Sequence, residues 1–365
     1  MKVLLHGGIS NTNFGDLLFA DLFYKKACSV FGEENTYFWE HWRWGISDFF
    51  RKEINYTKSL PDGFDKQADL LVYISGGYFG ETDRTVRDTV KRYLRYCGLG
   101  KKFLRRKKKL AILGVSGGPL SYCILRFAMC RFVKYANVVY VRDEETKDYF
   151  TRCGCNPKNI VVTTDTAHVI RSDDLPKLDE CVENDLIRTF GSSKIIFLHV
   201  HQLLYVDNVY HKSIIPALNH FLRENPDYGV IVGGDEVFPI NNPHFKALNT
   251  LACDKVYLYR YNSAWQLCSL LNHVDLIITP KLHVGIVGAA LGKSVLSFPY
   301  HIHKIKRYYR QIGEEDRCVL LKDITESVAY DKLIKYCSIP ITVNDSFRDL
   351  AQKNLNALEE LAAKL

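Results

Sequence analysis

A lysine and a histidine stand two residues apart in the segment 279–285, TPKLHVG. A largely apolar run, 274–278, precedes this segment, and residues 286–292 after it have a helix-like composition. The pair therefore falls where a strand is predicted to end and a helix to begin. Backbone N–H groups and the helix dipole favour an anion at such a position. Lys281 and His283 together predict an active site that handles an anion.

Glycine-rich or polar loops follow most of the other predicted strands. Glycine lets the backbone approach a ligand closely, and Asn, Asp and Arg side chains bind hydroxyls or anions. In open α/β sheets, ligands bind beyond the carboxyl ends of the strands, so these loops are further candidates. The residues singled out are Asn13 and Asp16 in loop 7–16, Gly76, Gly77 and Tyr78 in loop 75–81, Gly117 and Gly118 in loop 114–119, Arg142 in 141–145, and the loops 164–168 and 233–236.

Most of these residues also have an ordinary structural explanation. Asp16 is equally well explained as a helix cap, and Arg142 as a local ion-pair partner of Asp143 or Glu144. A lone histidine is more often structural than functional, and this interpretation is favoured for His199. The residues by themselves leave these alternatives open.

Apolar runs that are typical of buried strands alternate with helix-like stretches along the chain. Strands are predicted at 2–6, 70–74, 110–115, 138–141 and 160–163, and again at 194–200, 228–232, 256–259, 276–279 and 295–298. This alternation predicts βαβ units and parallel sheets covered on both faces. We expect an α/β protein with two doubly wound, Rossmann-like domains that face each other across a cleft. The expected boundaries are 1–172 and 190–340, with a C-terminal helix over 341–365 that packs back on the first domain.

Charge is distributed unevenly in this chain of 365 residues, whose formal net charge is +8. The segment Lys101–Lys109 has seven cations in nine residues. It is either a solvated connector or a contact with an anionic membrane surface. Nucleic acid is disfavoured as a partner, because aromatic residues are not interleaved with these cations and no nucleic-acid-binding motif occurs.

Other features of the composition concern location and cofactors. The sequence has no uncharged apolar run of about 18 residues, and its first residues do not resemble a secretory signal. We expect a cytoplasmic protein, peripheral at the inner face of the membrane if the basic segment docks there. The eleven cysteines form no CxxC pair, and the histidines and carboxylates show no ligand-like spacing. We expect reduced thiols, no metal and no bound cofactor.

Taken in order, these loops resemble the polysaccharide pyruvyl transferase family. The matching elements are Asn13 to Asp16, Gly76-Gly77-Tyr78, the turn GVSGGP at 114–119, Arg142-Asp143, Asp165 to Ala167, and Lys281-Leu282-His283 with the turn from Ser297 to Tyr300. The resemblance runs from about residue 3 to about residue 313. No single motif is specific, but six in the right order are. Lysine stands at 281 where the family usually has arginine, and Thr166 stands where proline is usual.

The resemblance implies a fold like that of the two-domain GT-B glycosyltransferases. It also implies phosphoenolpyruvate as co-substrate and a sugar diol in a bacterial surface polysaccharide precursor as acceptor, giving a cyclic pyruvate ketal and phosphate. In this reading His283 is the general acid and Asp16 orients or deprotonates an acceptor hydroxyl. The donor would be bound by Arg142, Lys281, Leu282, Gly117 and Gly118, and the acceptor by Asn13, Gly76, Gly77 and Tyr78.

Two other functions share these features. A GT-B glycosyltransferase that uses a nucleotide sugar would have the same fold and an anion site at a helix of the second domain. A non-catalytic glycan-binding protein would expose aromatic residues to the sugar and would tolerate the loss of His283. Trp42, Trp44 and Tyr205 are candidates for stacking on a sugar ring, although core packing explains them as well. A lipid-linked acceptor would give the basic segment a reason to dock at an anionic membrane.

Overall fold

The fold is described from a computed structural model of the chain. The structure describes residues 1–9, 12–41, 45–80, 85–201, 209–237, 247–299 and 302–363. Trp42, Trp44, Tyr205 and Tyr300 lie outside the described residues. The chain divides into two compact units. Unit 1 comprises Met1–Val169 and Asp345–Leu365, and unit 2 comprises Ile170–Asn344.

Unit 1 is built on a seven-stranded parallel sheet. Its strands are β1 (Val3–His6), β2 (Thr36–Phe38), β3 (Leu70–Tyr73), β4 (Gly76–Phe79), β5 (Lys109–Gly117), β6 (Val138–Val141) and β7 (Val161–Val162). The order is β2-β1-β3-β5-β6-β7, and β4 pairs with β5. Strands β1 and β3 are buried along their whole length, as strands covered by helices on both faces must be. The strand order reverses between β1 and β3, which is where ligands bind in such sheets.

Seven helices of unit 1 precede the second unit in the described chain. They are α1 (Phe14–Phe31), α2 (Asp48–Glu53), α3 (Phe64–Gln67), α4 (Val86–Arg92), α5 (Gly98–Arg105), α6 (Cys123–Tyr135) and α7 (Glu144–Arg152). A π-helical turn, Tyr93–Cys97, joins α4 to α5. Helices α5 and α6 are in close contact, because a Cβ added to Gly100 would lie 2.8 Å from the Phe132 ring.

Unit 2 is built on a five-stranded parallel sheet. Its strands are β8 (Lys194–His199), β9 (Tyr228–Gly233), β10 (Val256–Leu258), β11 (Leu276–Thr279) and β12 (Ser294–Ser297). Its helices are α8 (Glu180–Phe190), α9 (Ile215–Glu224), α10 (Ala264–Asn272), α11 (Leu282–Ala290), α12 (Ile302–Gln311) and α13 (Glu326–Tyr336). The strand order β10-β9-β8-β11-β12 is that of half a Rossmann fold, with the reversal between β8 and β11.

The C-terminal helix, α14 (Asp345–Ala363), returns to unit 1 and packs against α1 and the turn Thr166–Val169. Its Asn354 is fully buried. The Asn354 amide donates to the Thr164 carbonyl and to Thr166 Oγ1, both at 3.0 Å, and accepts from Thr163 Oγ1 at 2.8 Å. These bonds fix the helix to the residues that follow β7.

The ten predicted strands are all present, with ends that differ by one or two residues. Two strands, β2 and β4, were not predicted; β4 begins with Gly76 and Gly77, whose composition is typical of a loop. The basic segment is a connector only in part: Lys101–Arg105 end α5, residues 106–108 join the helix to the strand, and Lys109 begins β5. Within the described ranges, no helix is long and apolar enough to cross a bilayer.

Candidate active site

The carboxyl edge of the unit 2 sheet collects ionisable side chains from three loops. This unit 2 cluster consists of His199 and His201 at the end of β8, Asp235 and Glu236 after β9, and Lys281 and His283 after β11. Strand β8 lies between β9 and β11 in the sheet. Because the strands are parallel, the three loops emerge at the same edge, at the reversal of strand order.

Lys281 lies between two carboxylates. Its Nζ is 2.8 Å from Glu236 Oε1 and 3.5 Å from Asp235 Oδ1. Burial alone would lower the pKa of the Lys281 ammonium, but the two carboxylates outweigh burial and raise it above its ordinary value. The residue is therefore charged at neutral pH.

Asp235 joins Lys281 to the histidine at the end of β8. The carboxylate is 2% exposed, and its Oδ1 lies 3.3 Å from His199 Nε2. Burial alone would raise the pKa of Asp235, but Lys281 and then His199 outweigh burial and lower it. The His199 Nδ1 lies 2.9 Å from Thr279 Oγ1, which also accepts from the Lys281 backbone N–H at 3.1 Å. The ends of β8 and β11 and the loop after β9 are thus tied together through one buried polar chain.

The unit 2 cluster has two further histidines, His201 and His283. Burial lowers the pKa of His201 to about 4, and the Lys281 ammonium acts in the same direction, so this ring is neutral at pH 7. His283 lies in the first turn of α11, after the buried Leu282. The rest of α11, from Val284 to Ala290, is buried, so the helix holds His283 on a rigid support.

The N-terminus of α11 adds a further favourable feature for anions. Lys281 is the N-cap residue, and its side chain makes no capping hydrogen bond. The first-turn N–H groups have no partners within the helix, and its dipole places partial positive charge at the cluster. Lys281, Leu282 and His283 lie at the start of α11, as the sequence pattern predicts. Their binding of an anion stays a prediction.

Arg142 of unit 1 is buried and held by carboxylates of the same unit. Its Nη1 lies 3.0 Å from Asp165 Oδ2, and its Nε lies 3.9 Å from Asp143 Oδ2. The local ion pair expected with Asp143 is present but is longer than the contact with Asp165, which follows the next strand. A role for Arg142 in donor binding stays a prediction.

Asn13 and Asp16 meet at the start of α1. The Asn13 side chain, not that of Asp16, caps the helix by accepting from the Asp16 backbone N–H at 3.4 Å. Asp16 lies in the first turn, where the helix dipole favours a carboxylate, and packs on Gly8, since a Cβ there would lie 2.4 Å from Asp16 Cγ. The capping explanation thus applies to Asn13, and the catalytic role of Asp16 stays a prediction.

The predicted sugar and donor loops of unit 1 take part in packing. The Tyr78 ring is buried, stacks on Tyr96 at a centroid distance of 4.8 Å and donates its hydroxyl to the His6 carbonyl at 3.2 Å. Gly76 and Gly77 begin strand β4. The N–H of Gly117 donates to Thr146 Oγ1 at 3.0 Å, and that of Gly118 to the Phe79 carbonyl at 3.3 Å. Ligand contacts of these five residues stay predictions.

The sequence singles out the loop 233–236 but gives Asp235 and Glu236 no individual role, does not single out His201, and favours a structural role for His199. Asp235, Glu236 and His201 follow predicted strands and His199 lies near the end of one, which is the signal that could have identified them. Among the residues that the structure describes, no group of three or more His, Cys, Asp or Glu side chains is arranged to hold a metal ion.

Comparisons with known proteins bear on the family and the fold. A family model described as polysaccharide pyruvyl transferase matches residues 13–302. A search of the curated proteins finds no match to this sequence.

Similar solved structures include UDP-GlcNAc 2-epimerase from Methanocaldococcus jannaschii, with a TM-score of 0.65 and 14% identity over 99% of this chain and 100% of that one. A putative UDP-N-acetylglucosamine 2-epimerase from Listeria monocytogenes has a TM-score of 0.64 and 13% identity, covering 100% of this chain and 97% of that one. The S. aureus MnaA–UDP co-structure has a TM-score of 0.62 and 10% identity, covering 99% and 95%. At these identities the likeness concerns the fold alone, and it confirms the predicted GT-B-like class.

Proposed function

This chain belongs to the polysaccharide pyruvyl transferase family, and from that premise we propose that it transfers the pyruvyl group of phosphoenolpyruvate to two hydroxyls of one sugar. The products are a cyclic pyruvate ketal and inorganic phosphate. The acceptor is a sugar of a surface polysaccharide precursor. The observation that carries this proposal is the unit 2 cluster, in which a cation at the N-cap and an imidazole in the first turn stand at the start of a rigid helix.

The reaction needs an acid at one carbon and cations around the donor. In the proposed mechanism His283 gives a proton to C3 of the donor, which becomes a methyl group and leaves C2 electrophilic. One sugar hydroxyl bonds to C2, the C2–O bond to phosphate breaks, and the second hydroxyl closes the ring. Of the two hydroxyl protons, one restores His283 and the other leaves with phosphate, so the protons balance. Lys281 and the first-turn N–H groups of α11 stabilise the charge on the departing phosphate.

Glu236 stands in the way of this use of Lys281. The Glu236 carboxylate forms an ion pair with the Lys281 ammonium at 2.8 Å, whereas Asp235 is buried and fixed. The Glu236 side chain is 31% exposed and can turn into solvent when its contact with Lys281 is broken. We therefore propose that an anionic group of the donor displaces the Glu236 carboxylate on binding and takes its place beside the Lys281 ammonium.

Unit 1 contributes the acceptor side of the proposal. Asp16 and Asn13 are proposed to orient the sugar hydroxyls at the start of α1, and the loop at Gly76 and Gly77 to contact the sugar through its backbone. Arg142 keeps its proposed role as a second cation for the donor.

Ligand-induced stabilisation tests the donor. Phosphoenolpyruvate at millimolar concentration should raise the melting temperature of the wild-type protein. At a hundred-fold excess over Kd, binding adds about 2.7 kcal/mol to the free energy of unfolding. UDP, which the S. aureus co-structure contains, should have no effect. Stabilisation by UDP but not by phosphoenolpyruvate would favour a nucleotide-sugar glycosyltransferase and contradict the proposal.

Phosphate release with a panel of lipid-linked galactosides tests the chemistry and the residue roles. His283→Gln should lower kcat by about 10²- to 10⁴-fold while phosphoenolpyruvate still stabilises the protein. Lys281→Met should raise KM for the donor. Glu236→Gln removes the charge that competes with the donor for Lys281 and should lower KM for the donor. An increase in KM for Glu236→Gln would show that this carboxylate helps to bind the donor and would refute the displacement.

A further inference from the structure

Unit 1 exposes a set of large apolar side chains on one layer of helices. Val86, Val90 and Leu94 recur at four-residue intervals along α4 and the π-helical turn, and Ile124 and Phe127 lie three residues apart on α6. Their exposed fractions range from 42% for Leu94 to 69% for Phe127. Residues three or four apart share one side of a helix, so each set forms a stripe rather than scattered single exposures.

The two stripes face away from the same side of the sheet. The buried sides of the π-helical turn and of α6, with Tyr96, Cys97, Met129 and Phe132, enter one core cluster with β3 and β5. The π-helical turn, which carries Leu94, also contacts α6 directly. The stripe that ends at Leu94 and the stripe of α6 therefore lie on neighbouring segments of unit 1.

The charge of this region is extreme. From residue 85 to residue 135 the sequence has fourteen lysines and arginines and one acid, Asp88. Its formal net charge is thus +13, so the rest of the chain, with the total at +8, has a net charge of −5. Helix α6 contains no acidic residue. The exposed cations beside the apolar stripes are Arg87, Lys91, Arg126, Arg131 and Lys134.

The cations of Lys101–Lys109 are used differently. Lys102 and Arg106 form ion pairs with Asp65, at 3.2 and 3.5 Å. Lys108 donates to the carbonyls of Lys66 and Ala68. Much of the most basic run in the sequence therefore holds α3 in place, whereas the cations of α4 and α6 surround exposed apolar side chains.

We propose that the surface formed by the two stripes and their cations, here the basic apolar face, docks unit 1 on an anionic phospholipid bilayer. Val86, Val90, Leu94, Ile124 and Phe127 would enter the boundary between headgroups and acyl chains, and the five cations would contact lipid phosphates. A cavity beside α6, lined by Phe127, Arg131, Lys134 and Tyr135 among others, offers one phosphate two cations. This inference does not depend on the donor proposed above.

The combination of chemistries selects the bilayer over other occupants. A nucleic acid would use the cations but leave the aliphatic stripes in water. A second copy of the chain that used the same face would bring the five exposed cations against themselves, where like charges repel. An anionic surface with an apolar interior satisfies both parts of the face.

Vesicle co-sedimentation of the full chain tests the proposal. Wild type should bind phosphatidylcholine vesicles that contain phosphatidylglycerol, bind pure phosphatidylcholine much more weakly, and dissociate at high salt. Arg131→Gln/Lys134→Gln should weaken binding by about 25-fold, at about five-fold per cation. Val90→Ser/Phe127→Ser should weaken it by at least about ten-fold through lost apolar burial.

Matched controls separate this face from general charge and hydrophobicity. Lys102→Gln/Arg106→Gln removes the same charge from the neighbouring segment, and Ile187→Ser removes a side chain that is 64% exposed on α8 of unit 2. Both should bind vesicles within about two-fold of wild type. Phosphate release with a water-soluble acceptor should be unchanged in all four variants, which separates this test from that of the donor.

Three results would overturn the proposal. The first is equal binding to neutral and anionic vesicles, or none to either. The second is a loss in the control variants as large as in the face variants. The third is a wild-type dimer in sedimentation velocity that the face variants convert to monomer, which would make the face a self-association interface.

Discussion

Replacing Lys281 by methionine is the most direct test of the charge arrangement in the unit 2 cluster. The substitution removes the ammonium and keeps most of the apolar stem. Unit charges 3.5 Å apart, as for Lys281 Nζ and Asp235 Oδ1, attract by about 5 kcal/mol at an effective dielectric constant of about 20. Desolvation offsets part of this attraction, and loss of one partner of a buried pair costs about 3–5 kcal/mol. Because Glu236 can turn into solvent, most of the cost arises at Asp235. We expect the free energy of unfolding of unit 2 to fall by about 3 kcal/mol.

The loss should depend on pH with a defined sign. In wild type, Lys281 and His199 lower the pKa of Asp235 despite its burial, so the stability it contributes is present above the unfolded-state pKa of about 3.9 and is lost as the pH falls below it. Without Lys281 the pKa of Asp235 rises. The deficit of Lys281→Met should therefore be largest near neutral pH and shrink toward about pH 4.

Hydrogen exchange followed by mass spectrometry on peptides of β8, β9 and β11 measures this deficit within unit 2. A double-mutant cycle with Asp235→Asn supplies the control, because the double variant lacks both charges. Its coupling energy should be at least about 2 kcal/mol. A cost below about 0.5 kcal/mol for Lys281→Met near neutral pH, or single costs that simply add in the double variant, would refute the reasoning.

Three further changes test unit 1, the first against a control substitution in unit 2. Gly114→Ala should destabilise unit 1 by about 3 kcal/mol, because φ is +68° and the new Cβ would lie 2.2 Å from Ser75 Oγ. Gly292→Ala, at φ +67° with nothing within 4 Å of the new Cβ, should cost only about 1 kcal/mol. Equal melting temperatures for the two variants would contradict the steric argument. Asn354→Leu should cost about 3 kcal/mol and release α14, measured as faster hydrogen exchange there, because buried partners lose their bonds. Burial lowers the pKa of His168 to about 4, so the unfolded chain takes up the proton first and wild type should lose about 2 kcal/mol from this group between about pH 8 and about pH 5. In urea titrations His168→Leu should lack that part of the loss, and identical pH slopes would show that the ring titrates normally in the folded protein.

The order of strands and helices was predictable from the sequence because periodicity is a local property. Apolar strands such as those ending at His6, Val141 and Thr279 were placed within one residue. The position of Lys281 and His283 at a strand-to-helix junction followed from the same pattern. The motif order also indicated the family, which the match over residues 13–302 confirms. The uneven charge could be counted without any structure.

Which side chains meet was decided only by the tertiary structure. Lys281 contacts the carboxylates of Asp235 and Glu236, which follow another strand. The contact arises because β9 and β11 flank β8 in the sheet, so the loops after them emerge at the same edge. Arg142 pairs most closely with Asp165 rather than with its neighbour in sequence. Strand order and side-chain direction depend on packing between distant segments, and no local pattern encodes them. For the same reason, the most basic run proved to be engaged with α3, while the exposed cations beside apolar side chains lie on α4 and α6.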